Sequence, residues 1–252
     1  MGSLSVVNNE GEILQDGRSS NLLAVLGVDR CAVEYQPIVG LHDQQVYAYE
    51  ALARFYRKNN ESVSPLSVFQ ALHSNPQLLG RCELQLKKYQ IRFAPNNARL
   101  FINLDPHAMT EEVHEPMMAL IKQREDLIVE LIENTDLLDS KASMALLLML
   151  RDRGIPCALD DIGASESMLS IDLLVAVDYL KFDRRWVSLL RQQNYQVLFQ
   201  NLLGFARATG RITILEGIET EQELERVQQF PLDFIQGFLF KERFIQSDMF
   251  PL

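Results

Sequence analysis

The stretch Tyr35-Gln36-Pro37-Ile38-Val39-Gly40-Leu41-His42-Asp43-Gln44-Gln45-Val46-Tyr47-Ala48-Tyr49-Glu50-Ala51-Leu52-Ala53 spans two strand-like runs, at about 33–39 and 46–53. Only the six residues Gly40 to Gln45 separate them. A parallel crossover needs a dozen or more residues, so these two strands are expected to run antiparallel. Further runs rich in Val, Ile, Leu, Phe or Tyr follow at 99–104, 127–132, 156–160, 178–182, 212–216 and 234–238, in the manner of buried strands. Between the runs, apolar residues at helical spacing mark Pro65–His73, Arg81–Phe93, Met117–Ile121, Leu137–Leu150, Trp186–Ala208 and Glu221–Val227. Asp139-Ser140 and Thr220 with Glu223 read as helix starts, the second a capping box; Gly154 and Gly210 read as stops. Strands alternating with helices in this way predict an α/β fold, a TIM-like (β/α)8 barrel with the first strand antiparallel to the rest.

Polar groups recur at the ends of these strands. Glu50, Asn103, Glu130, Asp160 with Asp161, Lys181 and Glu216 each follow an apolar run, and Gln236 lies late in the last one. Each acid alone has a plain reading as a solvated loop residue or a helix cap. Asn103 alone could make a turn before Asp105-Pro106, and Lys181 with Asp183 an ordinary surface pair. Six successive strand exits carrying such groups are another matter, because a barrel gathers its strand ends at one face. The set is rich in oxygen and contains none of the histidines (His42, His73, His107, His114), which favours Mg²⁺ or Mn²⁺ over Zn²⁺.

Composition bounds the rest. The 252 residues are 47% hydrophobic and 23% charged, ordinary for a globular chain that builds a sizeable core. The 34 acidic against 24 basic residues, net −10, argue against long nucleic acid as a partner. No apolar run is long enough to span a membrane, so no membrane contact is expected from this segment, and no signal peptide is visible. Three cysteines without short spacing (Cys31, Cys82, Cys157) fit a reducing cytoplasm. Residues 1–30 are weakly patterned and read as an N-terminal linker or the edge of a missing upstream domain; residues 31–252 read as the barrel.

The ordered motifs resemble a known family. Glu50-Ala51-Leu52-Ala53-Arg54-Phe55 is similar to the signature of EAL-domain cyclic-di-GMP phosphodiesterases. Tyr35-Gln36-Pro37-Ile38-Val39, Phe101-Ile102-Asn103-Leu104, Glu130-Leu131-Ile132-Glu133, Asp160-Asp161-Ile162-Gly163, Lys181-Phe182-Asp183, Glu216-Gly217-Ile218-Glu219-Thr220 and Gln236-Gly237-Phe238 resemble its other motifs, in order. The resemblance implies metal-dependent hydrolysis of cyclic-di-GMP to linear pGpG in bacterial second-messenger signalling. By it, Glu50, Asn103, Glu130 and Asp160 hold one Mg²⁺ or Mn²⁺, and Asp160, Asp161 and Glu216 a second. Lys181, Glu216 and Asp161 would serve catalysis. Gln36, Leu52, Arg54, Asp183 and Gln236 would bind substrate, with Glu133 and Glu219 supporting the metal ligands from behind. It also makes a homodimer and an upstream sensory or regulatory domain candidate partners.

One segment departs from the family. Where its members usually continue Phe-Gly-Thr-Gly-Tyr-Ser-Ser-Leu, this chain reads Ile162-Gly163-Ala164-Ser165-Glu166-Ser167-Met168-Leu169. The lost hydroxyl and glycine bear on the placement of Asp161, so a receptor that binds cyclic-di-GMP with weak or no turnover is the alternative expectation.

Overall fold

The computed structural model of the protein describes residues 27–132, 137–165 and 168–252. Strand β1 (Arg30–Gly40) turns through Gly40–Gln45 into β2 (Val46–Tyr56), and the two pair antiparallel as the short connection requires. The turn closes with Gly40 N donating to the Gln45 carbonyl at 2.9 Å, and Asp43 Oδ1 accepts from Gln45 N at 3.0 Å. A short β3 (Ser62–Val63) leads to helices α1 (Pro65–Leu72) and α2 (Pro76–Arg92), the second capped by the Asn75 side chain. Then come β4 (Arg99–Asn103), α3 (Glu111–Ile121), β5 (Leu127–Ile132), α4 (Leu137–Asp152), β6 (Cys157–Ile162), α5 (Ile171–Ala176) and β7 (Tyr179–Phe182). The chain continues through α6 (Arg185–Leu189), α7 (Gln193–Ala208), β8 (Ile212–Leu215), α8 (Glu221–Val227), β9 (Phe234–Gln236) and the short strands β10 (Ile245–Gln246) and β11 (Phe250–Pro251).

The strands β2, β4, β5, β6, β7, β8 and β9 pair side by side in parallel, and β1 closes the ring antiparallel to both β2 and β9. This is the expected barrel. Inside it, Ile38, Ala48, Phe101, Ile128, Ala158, Tyr179 and Ile214 form one apolar layer. Side chains on a strand alternate faces, so the residue two positions on points the same way. Two residues beyond Ala48, Phe101, Ile128, Ala158, Tyr179 and Ile214 stand Glu50, Asn103, Glu130, Asp160, Lys181 and Glu216. Phe234, packed against the same layer, likewise gives Gln236, and the reversed β1 gives Gln36 two residues before Ile38. The polar set is thus the next layer of the barrel interior. A larger core of buried apolar side chains fills the space between barrel and helices.

Four details differ from the sequence reading. Glu50 lies in mid-strand, because β2 runs on past the mouth to pair with β1 and β3. The helix expected over Trp186–Ala208 is two, α6 and α7, broken at Leu190–Gln192. Asp139-Ser140 falls inside α4, which already starts at Leu137. The tail strands β10 and β11, pairing with β1 at Glu34–Tyr35 and Arg30–Cys31, have too little periodicity to be seen in the sequence. Residues 1–26 and Glu133, Glu166 and Ser167 lie outside the described residues. The reading of residues 1–30 as a linker therefore falls almost wholly outside them.

Candidate active site

Lys181 sits at the centre of the polar layer and has no solvent exposure. Its ammonium lies 2.5 Å from Glu130 Oε1, 2.7 Å from Glu216 Oε1, 3.1 Å from Asp160 Oδ1 and 3.7 Å from Glu50 Oε2. Amides tie the acids laterally. Asn103 Nδ2 donates to Glu50 Oε1 at 2.9 Å and to Glu130 Oε2 at 3.0 Å. Gln236 Nε2 donates to Glu50 Oε2 at 2.7 Å.

The electrostatics follow from one ammonium against several buried carboxylates. Burial, joined by the charges of Glu50 and Asp160, holds Glu130 well above the ordinary carboxylate range despite Lys181. Burial also raises Asp160, with Glu50 adding to it. Asp161 is pushed up to about 7, first by burial and then by the Asp160 charge. Burial pushes Glu216 up to about 8, although 22% of its side chain stays exposed. Glu50 moves the other way: burial is outweighed by Lys181 and by the hydrogen bonds from Gln236 and Asn103. Burial alone would lower Lys181, but the surrounding acids raise it well above its usual value, so it stays charged.

These residues suit a hard divalent cation. Carboxylate oxygens of Glu50, Glu130 and Asp160 lie within 4.8 Å of one another, as do those of Asp160, Asp161 and Glu216. Asp160 belongs to both groups. Glu130 Oε1 and Asp160 Oδ1 are buried and share Lys181 Nζ as their close partner, at 2.5 and 3.1 Å. Carboxylate oxygens facing one point are what Mg²⁺ and Mn²⁺ take as ligands. In this conformation Asn103 turns its amide nitrogen toward the acids. Rotation of the amide would present Oδ1 instead, since oxygen and nitrogen positions interchange by a half turn.

A cavity of about 420 Å³ opens over the layer, lined among others by Gln36, Leu52, Asp183, Glu219 and Phe238. Gln36 donates to Glu34 Oε1 at 2.9 Å, and Arg54 donates to the same oxygen at 2.6 Å. Arg54 lines a neighbouring cavity that shares Leu52 and Asn103 with the first. Gln236, expected as a ligand contact, is committed to Glu50, with its Oε1 left unpartnered. Asp183 accepts from Arg185 N at 3.0 Å at the start of α6. Glu219 is exposed on the rim.

Two residues that matter here carried no signal in the sequence. Glu34 orients both Gln36 and Arg54, which its strand position alone does not reveal. Trp186 braces the exit of β6: its Nε1 donates to the Ile162 carbonyl at 2.8 Å. Asp161 there has φ +58°, rare for a residue with a side chain, and Gly163 has φ +88°. A Cβ on Gly163 would come within 2.4 Å of the indole nitrogen, so only glycine lets Trp186 approach.

The family's sequence model, described as the EAL domain, matches residues 20–243. The chain belongs to the EAL domain family. Among curated relatives, this EAL domain is 28% identical over 236 residues to the probable cyclic di-GMP phosphodiesterase PdeB of Escherichia coli, spanning 89% of this chain and 45% of that protein. It is 24% identical over 226 residues to the cyclic di-GMP phosphodiesterase NbdA of Pseudomonas aeruginosa, spanning 84% of this chain and 29% of that protein. The chain thus spans less than half the length of these relatives. Among solved structures, BlrP1 of Klebsiella pneumoniae in a complex with manganese and cy-diGMP superposes with a TM-score of 0.70 at 23% identity, covering 88% of this chain and 58% of that one. An EAL domain protein from Listeria monocytogenes matches over 95% of this chain and 96% of its own, with a TM-score of 0.67 at 19% identity. Those likenesses establish the shared fold. Among the described residues no helix is long and apolar enough to cross a membrane.

Proposed function

We propose that this EAL domain hydrolyses cyclic-di-GMP to linear pGpG with two Mg²⁺ or Mn²⁺ ions. One observation carries the reading: a wholly buried lysine is ringed by carboxylates that form two oxygen groups sharing Asp160, in one layer at the barrel mouth. Glu50, Glu130 and Asp160, with Asn103 after rotation of its amide, would hold one ion, and Asp160, Asp161 and Glu216 the other. Such a pair supplies Lewis acidity to the phosphoryl group and a nucleophile drawn from water at neutral pH.

The chain's own groups account for the rest. Water's oxygen joins phosphorus, the bond from phosphorus to the 3′ oxygen breaks, and that oxygen leaves as a hydroxyl. The Lys181 ammonium offsets the negative charge that builds on the phosphoryl oxygens, in a site with little water. Glu216 Oε1 faces Lys181, so its Oε2 would serve the second ion, and the proton that water gives up passes to the leaving 3′ oxygen. Gln236 and Asn103 fix the Glu50 carboxylate, so its orientation needs no adjustment when substrate arrives. Leu52, Gln36 and Asp183 line the space above and would contact the dinucleotide.

The test is chelation followed by metal addition, with pGpG followed by chromatography. Product is expected with Mg²⁺ or Mn²⁺ and not in chelator, nor with Glu50→Ala. No product across a metal and pH series overturns the reading, and tight binding beside zero turnover would assign a receptor instead. The same reading places the domain in the cytoplasm, with a sensory or regulatory domain and a second copy as partners. Supporting a dimer is the exposed apolar group Met168, Leu169, Ile171 and Val175 on and before α5. Analytical ultracentrifugation showing a monomer at micromolar concentration would remove that part.

A further inference from the structure

A separate cavity of about 570 Å³ lies beside the mouth, between the connections that follow β6, β7 and β8. Asp183, Arg184, Gly217 and Glu219 line both spaces, so a molecule seated over the acids can reach into it. Arg184, Arg185 and Arg191 give the cavity a basic wall, on and around α6. Acids outnumber bases in this chain by 34 to 24, and exposed arginines elsewhere find one: Arg57 pairs with Glu61, and Arg81 with Glu112. Arg184, Arg185 and Arg191 make no ion pair with an acid among the described residues. Two of the carboxylates in the lining are engaged by backbone instead. Asp183 Oδ1 accepts from Arg185 N at 3.0 Å, and Glu223 Oε2 accepts from Glu219 N at 2.9 Å and Thr220 N at 3.0 Å.

Three such guanidinium groups around one space suit an anion with several oxygens. Each offers two parallel N–H bonds in the geometry that a phosphate accepts. Hydrolysis as proposed above changes the charge of the ligand. In cyclic-di-GMP both phosphates are diesters, each with one negative charge and each closed into the ring. Breaking the bond to the 3′ oxygen leaves one phosphate attached through its 5′ oxygen alone. A monoester of this kind carries a charge of about −1.5 to −2 at neutral pH and three outward oxygens. The ring no longer holds it, so it can swing away from the acids.

We propose that this cavity captures the 5′-phosphate of the linear product pGpG, through Arg185 and Arg191 with Arg184 at its threshold. The inference rests on the hydrolysis proposed above and gives its product a site of its own. The substrate cannot use that site, because its phosphates stay in the ring and carry one charge each. The product can, because its phosphate gains a second charge and a free end. A product anchored there keeps its bases over the mouth and competes with the next substrate. The arginines therefore make the domain sensitive to the pGpG around it.

The test titrates the intact protein calorimetrically, in chelator, with pGpG, with its dephosphorylated form GpG and with inorganic phosphate. Formation of pGpG from cyclic-di-GMP is assayed separately in Mg²⁺. In chelator the acids of the mouth repel a dianion, so a preference for the phosphorylated compound comes from the arginines. Wild type is expected to bind pGpG about tenfold more tightly than GpG, the effect of a hydrogen bond between charged groups. The double variant Arg185→Gln, Arg191→Gln replaces two exposed side chains that line this cavity and not the mouth. It is expected to bring the two affinities within about twofold and to leave KM for cyclic-di-GMP within about twofold of wild type. Ser188→Asp adds a carboxylate to the same lining and is expected to weaken pGpG about tenfold while sparing GpG. Equal binding of pGpG and GpG by wild type, or a preference undiminished in both variants, overturns the proposal. Inorganic phosphate binding as tightly as pGpG overturns it too, since the site would then take free phosphate. Turnover without the preference sinks this site alone. The preference without turnover sinks the hydrolysis alone, and absence of both sinks both.

Discussion

Replacing Lys181 by Met keeps an unbranched side chain of similar length in the barrel and removes the cation that Glu50, Glu130, Asp160 and Glu216 share at 2.5 to 3.7 Å. Removing one partner of a buried charge pair costs about 3–5 kcal/mol, because the remaining charge is left without compensation. For a chain of this size each kcal/mol moves the melting temperature by about 2–4 °C. The metal-free variant is therefore expected to melt about 6–20 °C below wild type at pH 8. The acids can also neutralise by taking up protons, so the loss should be smaller at pH 6. Saturating Mg²⁺ or Mn²⁺ brings positive charge to the same oxygens and is expected to recover more than half of the loss. Scanning calorimetry in chelator and in metal reads both quantities. A metal-free melting temperature within about 2 °C of wild type, or an equal loss with and without metal, would refute the account of this cluster.

Three further outcomes follow from the same geometry. Glu216 and Asp161 stand at about 8 and about 7, above the usual 4.5 and 3.8, so the folded protein holds protons there that the unfolded chain releases. That contribution to stability is lost as pH rises from about 4 through about 8, so the metal-induced rise in melting temperature should be larger at pH 8.5 than at pH 6; an equal or smaller rise would contradict it. Gly163→Ala puts a Cβ 2.4 Å from the Trp186 indole nitrogen at φ +88° and is expected to cost about 2–3 kcal/mol by urea unfolding, with turnover falling at least tenfold as Asp161 shifts. Gln236→Leu removes a 2.7 Å hydrogen bond to Glu50 and should raise the metal concentration needed for half-maximal activity about tenfold, while Gln236→Glu should raise it further by adding a like charge; an unchanged metal titration in both would remove Gln236 from the positioning of Glu50.

The barrel and its polar layer were legible in the sequence because both follow from local pattern. Buried strands write themselves as short apolar runs, and six residues between the first two fix their direction. The layer was legible as a set of strand ends, and the interior alternation explains why: each member stands two residues beyond an apolar residue of the barrel interior. What was not legible depends on partners far away in the chain. Gln236 and Arg54 read as ligand contacts, and the sequence did not show that Glu50 across the barrel seam holds one and Glu34 on the facing strand the other. The brace that Trp186 gives the exit of β6 was likewise hidden, because its contact with the Ile162 carbonyl cannot be read from neighbouring residues.

The reversed direction of β1 divides the cost of ligand capture unevenly around the mouth. On one side Glu34 and Gln36 lie in a ladder facing Leu52 and Glu50, with no loop between. Their backbone was ordered when the sheet formed, so a ligand arriving there meets entropy already spent in folding. On the opposite side the wall is made of the connections after β7 and β8, including Asp183, Arg184, Gly217 and Glu219. Ordering on binding falls to that half. Hydrogen exchange should show it directly: amides of the β1–β2 ladder protected before and after ligand, and slowing on binding confined to the loop half.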